Sequence, residues 1–330
     1  MRGDRVESRH RGAIVVCDPD GSIVATVGDA DTFIYLRSAA KPFQLRAFLA
    51  SGAADAFAFT PQELAVMAAS HSGEDRHVSV VEGLLRRGAL PVSALSCGTH
   101  APYDAETAER LIRDGEPLTP LRHNCSGKHA GMLLFASTSG WPTQTYWHRD
   151  HQVQRAVLHS IAVATDVAVD KIALATDGCG VPTLGMPLRA LARAFARLAA
   201  GSDETLRRIS DAMTAHPELV GGERRRLDTA LMRARPGLIS KAGAEGIHAV
   251  ALRERTVAGR GPLGMALVVE DGDAARRASG VAACAALRQL GVLDAAALAA
   301  LDQFAEPRVL DPRGNVSGSV RAPFSLEPVS

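Results

Sequence analysis

Apolar positions change their period twice along this chain. From 12 to 17 (GAIVVC) and again from 22 to 27 (SIVATV), β-branched residues dominate on either side of Asp18-Pro19-Asp20-Gly21, a pattern that predicts two strands joined in a hairpin. A third extended piece at 33–36 runs into Arg37-Ser38 and AAKPFQLRAFLASG, where Ser38 is placed to cap a helix whose first turn accepts Pro42. The period is then helical over 61–69, 74–87, 151–163, 184–200 and 203–216, with loops rich in Gly, His and Cys between these stretches. After Lys241-Ala242-Gly243 it returns to extended, with strands at 247–252 and 264–269 around Gly259-Arg260-Gly261-Pro262. A last helix over 273–290 sets Ala274, Ala278, Val281 and Ala285 on one stripe. This order predicts an α/β chain of the α+β kind, an antiparallel sheet built from both chain ends around a helical middle. Residues 1–60 and 236–330 would form the sheet and its helix, and 61–235 the mostly helical part.

Composition narrows the function more than the fold. With 330 residues, 46% hydrophobic and 22% charged, the chain buries a large core as one big domain or two ordinary ones. Its 37 basic and 36 acidic residues leave a net charge of +1, which supplies no field for nucleic acid or a membrane surface. Aromatics, at 4%, provide no platform for stacking bases. No stretch approaches the roughly 18 apolar residues of a membrane span. The first residues, MRGDRVESRHRG, are charged and lack a leader's apolar core, so a cytoplasmic protein is expected. The cysteines Cys17, Cys97, Cys125, Cys179 and Cys284 are odd in number and far apart, a usage that fits reduced thiols or metal ligands better than a disulfide framework.

The sharpest local feature is Ser38-Ala39-Ala40-Lys41, where a helical i, i+3 spacing sets an amine one turn from a hydroxyl. A lysine kept neutral by desolvation or by a neighbouring cation takes the proton of such a serine and makes it a nucleophile. By itself the motif also reads as a capping serine followed by a surface lysine. Its context is Lys241-Ala242-Gly243 opening a late strand, as Lys-Thr-Gly does in penicillin-recognising serine enzymes, and Ser70, after a predicted helix, lying between the two. A second constellation joins His123-Asn124-Cys125-Ser126-Gly127-Lys128-His129 to Asp177-Gly178-Cys179-Gly180. It satisfies neither the phosphate-loop nor the dinucleotide spacing, and reads either as a zinc site or as unpaired buried cysteines. The run Glu223-Arg224-Arg225-Arg226 reads as a solvated helix start, and Trp141, Tyr146, Trp147, His148 and His151 as a packed loop.

Taken together, RSAAKPFQ (37–44), ASHSGE (69–74), CGTHAPYD (97–104), HNCSGKHAGM (123–132), DGCGVPT (177–183), RLDT (226–229) and KAGAEG (241–246) resemble the rhizobial-type bacterial L-asparaginases, the asparaginase II family. The resemblance implies a fold like that of serine β-lactamases and penicillin-binding proteins, and hydrolysis of L-asparagine to L-aspartate and ammonia by two Ser-Lys pairs, Ser38 with Lys41 and Ser70 with Lys241. It further implies one zinc ion on Cys125, Lys128 and Cys179, and a homodimer. Beside these motifs, Arg37, His71 and Asp177 are candidates for holding the substrate's α-carboxylate and α-ammonium. One departure is His151-Gln152, where the family usually reads His-Pro; it should alter a helix start and leave the chemistry intact. Two alternatives stay open: another Ser-Lys amidohydrolase or esterase, acting on glutamine or a β-lactam, and a non-catalytic metal-binding or redox protein using Cys125 and Cys179. In the second case Ser38→Ala would change nothing.

Overall fold

The predicted hairpin forms because Asp18 organises its turn, its Oδ1 accepting from the backbone N–H groups of Asp20, Gly21 and Ser22, each at 3.0 Å. The computed structural model describes residues 1–329, and the chain divides into two compact units.

The first unit comprises Met1–Ile34, Pro187–Ala200 and Ala230–Ser330. Its six-stranded antiparallel sheet runs, edge to edge, Glu327–Pro328, Ile23–Val27, Gly12–Cys17, Leu263–Val269, His248–Leu252, Leu238–Ala242. Strands from the two chain ends meet at its centre, where Gly12 pairs with Val269 and Cys17 with Gly264. The Leu188–Ala200 helix lies on the Gly264 face so closely that a Cβ there would meet Ala192 O at 2.0 Å. Residues 184–187, expected to begin this helix, belong instead to the strand Pro182–Pro187. The last helix also starts later than expected, at Ser279. Asp273, at φ +45°, turns the chain there and its carboxylate accepts from the N–H groups of Arg277, Ala278 and Ser279.

The second unit comprises Tyr35–Met186 and Gly201–Thr229 and is mostly helical. At its centre are two helices buried almost all round, Lys41–Ala50 and Ser126–Thr138, joined by Phe48 and Phe135 stacked at 5.1 Å. Around them lie the amphipathic helices Asp75–Arg87, Gln152–Thr165 and Glu204–Ala215 together with the short, mostly buried Pro61–Met67. The loop at 141–151 is packed only in part: Tyr146 is fully buried and His151, also buried, caps the Gln152–Thr165 helix by accepting from Val153 N–H, whereas Trp141 and Trp147 are half-buried and His148 is exposed. Among the described residues no helix is long and apolar enough to cross a membrane.

Candidate active site

Ser38 sits in a single 3-10 turn, Arg37–Ala40, immediately before the Lys41–Ala50 helix. It is therefore not the cap of that helix. Its Oγ is half-buried and, among the described residues, has no hydrogen-bond partner. Arg37 occupies the left-handed region at φ +48°, a conformation that costs energy for an arginine.

Lys41 points inward and is 1% exposed. Its Nζ reaches Ala69 O at 2.6 Å, Asn124 O at 3.2 Å and Ser70 Oγ at 2.9 Å. Carbonyl oxygens only accept, so Nζ donates to Ala69 and Asn124, and it is also within hydrogen-bond reach of the Ser70 hydroxyl. Burial pushes the Lys41 pKa down, and the nearby Lys128 charge pushes the same way, against the Cys125 thiolate. The spacing of the motif implies an amine serving Ser38; the amine contact in the folded chain is to Ser70, 29 residues on.

Ser70 is held in place by a charge run expected to face water. Arg226 is buried, donating to Ser70 O at 2.7 Å and to Ser72 Oγ at 3.1 Å. Arg224 forms a forked pair with Asp104, and Glu223 N–H donates to Glu74 Oε1 at 2.8 Å. The segment is thus a clamp on the Ser70 loop; a run of four charges alone does not tell a clamp from a solvated turn.

His71 has no ring nitrogen left for a ligand. Gly73 N–H donates to its Nδ1 at 3.2 Å, and its Nε2 donates to Ser126 Oγ at 2.9 Å, since Ser126 spends its own proton on Leu121 O. It stacks on His77 at 4.7 Å, and burial first, then the facing His77, drives its pKa well below the ordinary value. Arg37 and Asp177, by contrast, meet each other: Arg37 Nε lies 2.8 Å from Asp177 Oδ1, with the side chains 24% and 12% exposed.

Cys125, Lys128 and Cys179 converge in one buried place. Lys128 Nζ is 2.8 Å from Cys179 Sγ, its sole hydrogen-bond partner among the described residues, and the Cys179 thiol bonds to Cys125. That thiol bond, with the charges of Lys41 and Lys128, drives Cys125 towards thiolate despite burial. Two soft sulfur donors and an amine short of acceptors fit a zinc ion, provided the amine gives up its proton. No cluster of three His, Cys, Asp or Glu side chains suited to a metal occurs among the described residues. The helix bearing Lys128 reaches this depth because Gly127 has no side chain; a Cβ there would lie 2.1 Å from Val66 O.

Lys241 belongs to the first unit. It lies on the strand Leu238–Ala242, fully buried, with Nζ donating to Ala242 O at 2.9 Å.

The L-asparaginase II family profile matches residues 1–322. The chain belongs to that family. Its members are amidohydrolases, and the substrate is accordingly a small molecule. Solved structures similar to this L-asparaginase II family chain include Mglu in its native form (16% identity, 87% of this chain and 67% of that one, TM-score 0.40). They also include a probable glutaminase from Bacillus subtilis in complex with 6-diazo-5-oxo-L-norleucine (13%, 80% and 78%, 0.36). A third is a β-lactamase from Burkholderia vietnamiensis (12%, 81% and 86%, 0.35). The chain spans 60% to 68% of the Mglu chains it matches. At these TM-scores the likenesses add nothing to the assignment. No curated protein matches the chain.

Proposed function

We propose that this chain is an L-asparaginase, hydrolysing L-asparagine to L-aspartate and ammonia through a β-aspartyl ester on Ser38. The observation that supports this most is the contact of Lys41 Nζ with Ser70 Oγ at 2.9 Å, beside a half-buried Ser38 whose hydroxyl has no hydrogen-bond partner among the described residues. Ser38 Oγ attacks the side-chain carboxamide carbon as Lys41 takes its proton, giving a tetrahedral intermediate. Backbone N–H groups at the start of the following helix are candidates to meet its oxyanion. The proton passes from Lys41 through Ser70 to the amide nitrogen, the C–N bond breaks, and ammonia leaves. Water then attacks the ester by the same relay in reverse, releasing aspartate and restoring Ser38. Lys241 enters as the second lysine from the resemblance.

An α-amino acid carries an ammonium and a carboxylate on one carbon, and the Arg37–Asp177 pair beside Ser38 offers the matching cation and anion. His71, with both nitrogens engaged, braces the loop instead. Zinc held by Cys125, Lys128 and Cys179 would supply a fixed positive centre that ties the Cys125 and Cys179 loops together. The five cysteines are unpaired and buried, in keeping with a reducing cytoplasm; a homodimer is carried over from the resemblance.

Ammonia release from L-asparagine and L-glutamine by the purified protein, beside Ser38→Ala and Ser70→Ala, tests this reading. Asparagine-selective turnover lost in both variants is expected. Turnover of glutamine alone, or of neither amide by folded zinc-loaded protein, overturns the substrate assignment.

A further inference from the structure

The two faces of the first unit's sheet are covered very differently. Alternation puts Ile14 and Leu267, which pair with each other, on the face opposite Gly264, and Val27 joins them through its pairing with Ile14. On the Gly264 face the Leu188–Ala200 helix is in backbone contact. On the opposite face, at the sheet end where Gly12 begins its strand, a cavity of about 740 Å³ remains. Ile14, Val27, Leu267, Val281 and Phe324 supply its apolar walls, the last two from the Ser279–Gln289 helix and the C-terminal segment. That volume falls within the range of about 300–1,000 Å³ typical of small-molecule sites.

The polar lining has one dominant sign. Arg9, Arg11, Arg277 and Arg321 all line the cavity and are exposed, and none of the four has an ion-pair or hydrogen-bond partner for its side chain among the described residues. Against them stands Glu270; the other acid nearby, Asp271, is engaged by His10 at 2.7 Å. Guanidinium groups recognise carboxylates in a forked geometry, and their aliphatic stems extend an apolar wall. An apolar interior with an arginine rim selects a molecule with an apolar body and an anionic head.

We infer that this cavity binds an amphipathic monoanion of the straight-chain carboxylate class, at a site separate from the Ser38–Lys41–Ser70 cluster. The inference is independent of the asparaginase reading. Sodium decanoate titrated calorimetrically into the full chain should bind at one site per chain, with decanol, its neutral counterpart, at least about tenfold weaker, roughly one charge-assisted hydrogen bond's worth. The double variant Arg277→Ala/Arg321→Ala should lose at least about tenfold in decanoate affinity. Ala282→Phe, which fills the lining, should abolish binding while the far-UV circular dichroism spectrum and the denaturation midpoint are unchanged, as a check on folding. If Ala282→Phe does not fold, the arginine pair decides alone. No decanoate binding, equal binding of decanol, or binding indifferent to the arginine pair overturns the inference. So does sedimentation showing a dimer that dissociates in Ala282→Phe, which would make a second copy of the chain the occupant.

Discussion

Lys41 and Lys128 begin the two central helices of the same unit, both wholly buried, and their surroundings drive them in opposite directions. Around Lys41 are two carbonyls and a hydroxyl, and burial lowers its pKa in spite of the Cys125 thiolate. For Lys128 burial alone would do the same, but Cys179, Cys125 and Asp177 outweigh it and hold the proton on. The balance between burial and the charge of the immediate partners therefore decides which way a buried lysine is driven. The first environment suits a base and relay, the second an amine that a metal must deprotonate before it becomes a ligand.

Removing the Lys41 amine should break this contrast most sharply. Lys41→Met should lower kcat for asparagine by about 10³-fold or more with the fold retained, in line with the loss of a positioned general base. Steady-state kinetics and far-UV circular dichroism measured together check both halves of that statement. Cys179→Ser, or removal of zinc by a chelator, should act mainly on substrate binding, raising KM about tenfold while kcat stays within a few-fold. Turnover abolished at saturating asparagine in the folded, chelated protein would refute the binding role of that cluster.

Smaller effects probe the frame. Gly127→Ala, whose Cβ would lie 2.1 Å from Val66 O, should destabilise the chain by about 3 kcal/mol in chemical denaturation. His77 is a second group in which burial is the largest cause, and it is pushed towards the neutral form as Lys41 is. Burial brings its pKa to about 4, with Arg76 and Arg226 adding to the effect and the Glu218 carbonyl opposing it. Below its ordinary value of 6.5 the unfolded chain takes a proton that folded His77 refuses until about pH 4. Stability should thus fall by up to about 3 kcal/mol as pH drops through that window, with no further loss from this residue below it. Denaturation midpoints across the range should show a shallower slope in His77→Gln.

What was legible in the sequence follows from which elements keep one face wet. The hairpin, the late strands and the amphipathic helices announced themselves by period. The Ser126–Thr138 helix did not, because it is buried on all sides and opens with Ser, Gly, Lys and His, which read as loop. The Ala105–Asp114 helix, polar along most of its exposed surface, was also missed. The motifs are recognisable as a set, but their spacing does not show that Lys41 also reaches Ser70. The carbonyls of Ala69 and Asn124, which orient that amine, are backbone groups and leave no trace in side-chain identity. Arg226 was visible only as one charge in a run, although it holds Ser70 from behind.

The most direct test of the relay is to find where the acyl group sits. The unsubstituted protein, quenched with acid during turnover of L-asparagine and mapped by peptide mass spectrometry, should carry an aspartyl adduct on the peptide containing Ser38, and Ser38→Ala should carry none. An adduct on Ser70 in the Ser38→Ala protein would contradict the account, making Ser70 the nucleophile and Lys41 its direct base.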